Sequence, residues 1–132
     1  MRIGLVAGEV SGDALGAALI TALRERYPDA TFCGVGGPKM ASTGLELWES
    51  SESLAVMGLT EVLKHLPGLL RLRARLRQRF IAAKLDVFVG IDAPEFNLGL
   101  AKQLKRAGIA TVQYVSPQVW AFQLLRQAQI EL

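Results

Sequence analysis

The chain has 132 residues, 51% of them hydrophobic and 20% charged, with a net charge of +3. That length and composition suit one globular domain with a modest core, and exclude a disordered chain. No apolar run approaches the roughly 20 residues of a membrane span, and Arg2 passes straight into a strand-like segment without a cleavable apolar leader, which points to the cytoplasm.

In chain order, residues 2–7 read as a strand. Residues 13–26 read as a helix with Leu15, Leu19, Ala22 and Leu23 on one face, ended by Tyr27-Pro28-Asp29. A second strand at about 31–35 contains the single cysteine, Cys33, which has no disulfide partner or companion metal ligands and reads as a buried strand residue. It runs into Gly36-Gly37-Pro38, a short helical turn over 38–44 closed by Gly44, and a weak strand near 45–49. The pattern is helical from Thr60 to Lys84, interrupted at Pro67-Gly68, with Leu69, Leu72, Leu76 and Phe80 as a stripe. A strand at 86–91, a helix at about 95–107 closed by Gly108 and a strand at about 109–115 follow. Repeated βα units imply an α/β fold, Rossmann-like and doubly wound, with a mostly parallel sheet and right-handed crossovers.

Charge is unevenly placed. Between Glu61 and Asp86 lie seven basic residues (Lys64, Arg71, Arg73, Arg75, Arg77, Arg79, Lys84) and no acid, which asks for an anionic partner. Nucleic acid fits poorly, because no aromatic residues interleave the arginines and Trp48 and Trp120 are distant in sequence.

The order of elements puts Gly8-Glu9, Gly36-Gly37, Asp92 and Ser116-Pro117 after the carboxyl ends of strands, along one sheet edge. In an open α/β sheet, ligands bind there. Asp92 follows the unbroken apolar run Val87-Phe88-Val89-Gly90-Ile91 and would face the crevice. It could equally be a helix N-cap, with Pro94 in the first turn and Glu95 completing a capping box. The loop from Gly8 to Gly16 spaces its glycines by four and lacks Gly-Lys-Ser/Thr, so it is neither a dinucleotide fingerprint nor a Walker loop. Its acids, Glu9 and Asp13, would repel phosphate and favour a sugar hydroxyl or water. Asp13 and Ser11 read as helix caps, whereas Glu9 has no sequence-local partner. Gly36-Gly37 suits a tight turn or, less simply, the close approach of a ligand.

Five stretches together resemble the lipid-A-disaccharide synthases, GT-B-type glycosyltransferases of lipopolysaccharide assembly. They are Ala7-Gly8-Glu9 with Ser11-Gly12-Asp13; Gly36-Gly37-Pro38-Lys39-Met40; Val56-Met57-Gly58 with Glu61-Val62-Leu63; Val89-Gly90-Ile91-Asp92-Ala93-Pro94; and Tyr114-Val115-Ser116-Pro117 with Val119-Trp120-Ala121. The resemblance implies the N-terminal, incomplete half of a GT-B fold over residues 1–132, with the C-terminal UDP-sugar-binding domain absent. It implies transfer of 2,3-diacylglucosamine from its UDP donor to the 6-hydroxyl of 2,3-diacylglucosamine 1-phosphate, with inversion and release of UDP. No metal or other cofactor is implied.

Carried over residue by residue, Asp92 matches the catalytic aspartate, and Glu9 would orient the acceptor. Further substrate contacts are expected at Ser11, Gly12, Gly36, Gly37, Ser116 and Pro117. Both substrates are anionic lipids, so the basic helix would lie on the anionic inner face of the inner membrane. Leu63, Leu66, Leu69, Leu70, Arg71 and Arg73 would touch it, while Leu72, Leu76 and Phe80 pack on the sheet. The chain departs from the family pattern at Gln113 (usually His), Gln118 (usually Ser) and Phe122-Gln123 (usually Trp-Arg). Without a donor-binding half it is expected to be inactive alone. A small α/β nucleotide-binding domain and a basic lipid-surface module without catalysis are the alternatives.

Overall fold

The computed structural model describes residues 1–8, 10–50, 62–92 and 94–114, with the side chains of residues 10, 11, 62–66, 94 and 95 outside the description. The elements run β1 (Arg2–Ala7), α1 (Val10–Arg26), β2 (Thr31–Gly36), α2 (Pro38–Ser42), β3 (Glu46–Ser50), α3 (Val62–Ala82), β4 (Val87–Ile91), α4 (Pro94–Arg106) and β5 (Ala110–Tyr114). Among the described residues five strands pair in parallel, in the order β3-β2-β1-β4-β5. The fold is the expected doubly wound, Rossmann-like α/β sheet.

Two apolar clusters explain why the central strands are hydrophobic on both faces. Ile3, Leu5, Ala7, Phe32, Val89 and Ile91 pack with Ile20 of α1 and Met40 of α2. On the opposite face, Val6, Cys33, Val35 and Phe88 pack with Leu72, Leu76 and Phe80 of α3 and Leu100 and Leu104 of α4. Parallel strands covered on both faces must be apolar throughout, since neither set of alternating side chains meets water. Phe80 joins Trp48 and Phe88 in tilted and edge-on ring contacts at 4.9 and 5.5 Å. Aromatic pairs at such separations add about 0.5–1.5 kcal/mol each beyond area burial.

The chain steps from β1 to β2 to β3 on one side, and α3 then carries it back to β4 on the other side of β1. The order in which strands are added therefore reverses between β1 and β4, where Ala7 and Ile91 stand opposite each other. That reversal opens the crevice at strand carboxyl ends in which α/β proteins bind ligands.

Two elements differ from the sequence expectation. α3 is helical straight through Pro67, where the sequence predicts an interruption. Proline there removes one backbone hydrogen bond, at a cost of about 3 kcal/mol, and the buried stripe of Leu72, Leu76 and Phe80 holds the helix regardless. α1 begins at Val10 rather than Asp13, so Asp13 lies within its first turn and caps a different helix. The Asp13 carboxylate accepts the N–H groups of Gly37, Lys39 and Met40 at 2.9, 2.9 and 2.8 Å, all at the start of α2. Gly37 is the extended residue before that helix, and a Cβ on it would lie 2.6 Å from Asp13 Oδ2. The glycine and the distant acid are thus one arrangement: the missing side chain makes room for the acceptor that a capping Ser or Asp would ordinarily supply locally.

Removing this shared acceptor in Asp13→Ala leaves three helix-end donors unpaired. It is expected to lower the unfolding free energy by about 2–4 kcal/mol, read from urea denaturation of the 132-residue chain; an unchanged midpoint would show that α2 is held by other means.

Cys33 stands opposite Glu46 in the β2–β3 register. Burial pushes its thiol pKa from an ordinary 9.0 up to about 11, with the Glu46 charge adding to the rise. The folded chain then keeps this proton where the unfolded chain has lost it. The resulting stabilisation is complete below pH 9 and disappears as pH rises to about 11. The stability margin of wild type over Cys33→Ala should shrink across that window, and a pH-independent margin would contradict it.

Candidate active site

Asp92 is the residue immediately after β4, 1% exposed, at the switch between β1 and β4. Its backbone is left-handed, with φ of 51°. An N-cap residue ordinarily has extended backbone, and α4 starts two residues later, at Pro94, so Asp92 does not itself occupy the N-cap position. Asp and Asn are the side-chain-bearing residues that adopt this conformation most readily.

Both peptide groups flanking the Asp92 Cα are pinned. Its N–H donates to the Tyr114 carbonyl at 2.9 Å, extending the β4–β5 pairing by one bond. Its own carbonyl accepts Asn97 Nδ2 at 2.8 Å and Gln113 Nε2 at 3.1 Å. Asn97 Nδ2 also lies 3.1 Å from the Val6 carbonyl on β1 and 3.4 Å from the Ile91 carbonyl on β4. One fully buried amide thereby gathers carbonyls from the ends of two adjacent strands. Three acceptors converging on one atom also settle the amide's orientation, because the reverse flip would set oxygen against oxygen. Gly90 leaves the room: a Cβ there would meet Gln113 Oε1 and would lie 2.8 Å from Asn97 Cβ.

Gln113, noted only as a departure from the family pattern, therefore holds the Asp92 carbonyl. Asn97 was missed altogether, although a signal existed. It falls in line with Leu100 and Leu104 at helical spacing, a polar residue on the buried stripe of α4.

The other expected site residues divide. Gly12 packs against the strand ends, where a Cβ would lie 3.4 Å from Ala7 Cβ and 3.6 Å from the Ile91 carbonyl. Gly36 abuts Met40, and the Gly37 N–H is taken by Asp13, so neither glycine needs a ligand to account for it. Glu9, Ser116, Pro117 and the side chain of Ser11 lie outside the described residues, as do Gln118, Phe122 and Gln123. Among the described residues no group of three His, Cys, Asp or Glu side chains could hold a metal. An open depression of about 580 Å³ lies between α1 and α2, lined in part by Ala18, Thr21, Glu25 and Lys39, and takes in no expected site residue.

The basic helix is less uniform than its sequence. Arg75 pairs with Glu49 at 3.4 Å, and the Arg79 guanidinium lies 4.2 Å from the centre of the Trp48 ring. Arg73 is half-buried against Gly99 of α4, and Leu69 packs on the core beneath α3. These two, expected at a membrane, are half-buried against the core and α4, because positions 69 and 73 flank the Leu72–Leu76–Phe80 stripe. Leu70 (45% exposed) and Ile81 (38%) face outward with Arg71 and Arg77. The side chains of Leu63 and Leu66 lie outside the described residues. Among the described residues no helix is long and apolar enough to cross a membrane.

A family model described as lipid-A-disaccharide synthetase matches residues 3–132. The chain is 59% identical over 129 residues to the lipid-A-disaccharide synthase of Xanthomonas campestris pv. campestris (strain 8004), covering 98% of this chain and 30% of that protein. It is 58% identical over 131 residues to the synthase of Chromohalobacter salexigens, covering 99% and 33%. With the synthase of Sodalis glossinidius the identity is 57% over 130 residues, covering 98% and 34%. The chain thus spans about a third of the length of the curated relatives it matches. With its fold and the strand-end aspartate already in view, a match over nearly all its residues means that this chain belongs to the lipid-A-disaccharide synthetase family.

Proposed function

We propose that these residues form the acceptor-side domain of an inverting glycosyltransferase that makes the β-1,6-linked lipid A disaccharide. The donor is UDP-2,3-diacylglucosamine and the acceptor 2,3-diacylglucosamine 1-phosphate. The observation that carries the reading is Asp92, a carboxylate held in a fixed backbone conformation at the switch point of the sheet. In a single displacement, Asp92 takes the proton of the acceptor 6-hydroxyl as that oxygen bonds to the anomeric carbon of the donor. The bond from that carbon to the UDP oxygen breaks, and UDP leaves with the electron pair. A positioned base of this kind contributes about 10²–10⁴-fold. Glu9, on the loop after β1, orients the acceptor. Ser11, Gly12, Ser116 and Pro117 complete the rim, with Gly36 and Gly37 shaping its far wall. The UDP-sugar is held by a second, donor-binding domain, consistent with relatives about three times as long. A small non-catalytic nucleotide- or lipid-binding module is disfavoured by the synthase names of those relatives.

We place the outward face of α3 on the anionic inner face of the inner membrane, with Arg71 and Arg77 as the basic contacts and Leu70 and Ile81 as the apolar ones. Interfacial helices bind in this way, reversibly, by combining apolar burial with attraction to anionic headgroups.

The 132-residue chain by itself is expected to release no UDP above the no-enzyme blank; turnover from it alone would overturn the two-domain scheme. When the chain is fused to the remaining part of the Xanthomonas campestris relative, Asp92→Asn should lower kcat at least about 100-fold. Undiminished kcat would remove Asp92 from the chemistry. For the membrane face, replacing Arg71 and Arg77 together by Gln should weaken binding to phosphatidylglycerol vesicles about thirtyfold, from about 1 kcal/mol per basic residue. Rising salt should erase the difference, and equal binding by both proteins would rule this face out.

A further inference from the structure

We infer that Asn97 is a positioning residue for Asp92: its buried side-chain amide, helped by Gln113, clamps the carboxyl ends of β1 and β4 and fixes the backbone from which the Asp92 side chain projects. The catalytic half of this inference rests on the role proposed above for Asp92; the clamp stands on geometry alone.

The direction of a side chain follows from the two peptide planes either side of its Cα. At Asp92 the preceding plane is held through the N–H bond to Tyr114 and the Ile91 carbonyl's approach to Asn97. The following plane is held through the Asp92 carbonyl, which both Asn97 and Gln113 donate to. Left-handed backbone in a residue bearing a Cβ costs on the order of 1 kcal/mol or more and persists where the surroundings over-determine it. Four contacts from two elements, β5 and α4, meet that condition.

The same amide reaches the Val6 carbonyl, one residue before the end of β1. It therefore also sets how far apart the two strand ends lie at the switch point. A side chain without hydrogen-bond donors at position 97 would remove this shared donor from the buried carbonyls of Val6 and Asp92. Asparagine is otherwise a poor choice inside a helix and on a buried stripe, so its place on α4 beside Leu100 and Leu104 has a cause in this contact.

The test uses Asn97→Leu, close in size and without a donor, and Gln113→Leu, which removes the second donor from a half-buried position and leaves the strand ends joined. Backbone NMR of the 132-residue chain reads the left-handed signature of residue 92 in its Cα and Cβ shifts. The fusion enzyme, with active sites titrated, reads kcat and KM per folded molecule. In Asn97→Leu the left-handed signature should vanish, with kcat down about 100-fold and KM within about twofold, since misplacing a reacting group by about 1 Å costs this much. Gln113→Leu should move both readouts the same way by a smaller factor. If Asn97→Leu does not fold, Gln113→Leu alone decides the matter. A left-handed signature that survives the substitution overturns the clamp. A lost signature with undiminished kcat, while Asp92→Asn is inactive, overturns the positioning role. If Asp92→Asn itself keeps full kcat, the catalytic reading falls and takes the positioning role with it, and the signature at residue 92 still decides the clamp.

Discussion

The pairing of β1 with β4 is the constraint on which the rest of this domain depends. These are adjacent interior strands, parallel and covered on both faces, and they end side by side with Ala7 opposite Ile91. Beyond the last ladder residue a buried carbonyl must find a donor outside the strands, and one left bare costs about 1–3 kcal/mol. Asn97 supplies such a donor to Asp92 and also reaches Val6, and the missing side chain at Gly90 makes room for it. The same contacts that satisfy the backbone also dictate where the Asp92 side chain leaves it. Stability and geometry of the site therefore have a common cause.

A second carboxylate works in the opposite sense. Asp13 sits in the loop-helix segment next to the crevice and shares its family motif with Glu9, yet its oxygens are occupied by the start of α2. It ties α1 to the loop after β2 and so links the first and second βα units. Gly12 and Gly16 let α1 settle close to the strand ends and to Met40. Of the two acids described at this edge, Asp13 is committed to holding the scaffold, and Asp92 is held by it.

The basic helix α3 shows how a single run of charge serves several ends. Arg75 and Arg79 are turned to β3, one to the Glu49 carboxylate and the other to the face of Trp48. The exposed ion pair contributes little, as surface pairs do; the ring contact covers the indole that packs on Phe80. Arg73 lies along α4. Arg71 and Arg77 keep to the outside with Leu70 and Ile81, a mixed surface narrower than the sequence block suggests.

The sequence by itself determined the order of strands and helices, the parallel sheet, the burial of Cys33, Leu72, Leu76 and Phe80, and Asp92 at the end of β4. All of these follow from short-range periodicity and from the rule that a βα unit returns to the same sheet edge. It also carried the family, because five motifs in order are a local property of the chain. Tertiary structure decided what the polar groups do. Asp13 caps a helix 24 residues away, Gln113 holds a carbonyl 21 residues back, and Asn97 reaches β1 across 91 positions. Periodicity can mark such a residue as buried, as at Asn97, but it does not name the acceptor, since a single donor finds its acceptor only after the sheet has brought distant strand ends together. Burial pattern is repeated along an element and can be read from it; a polar partner is chosen once, in space.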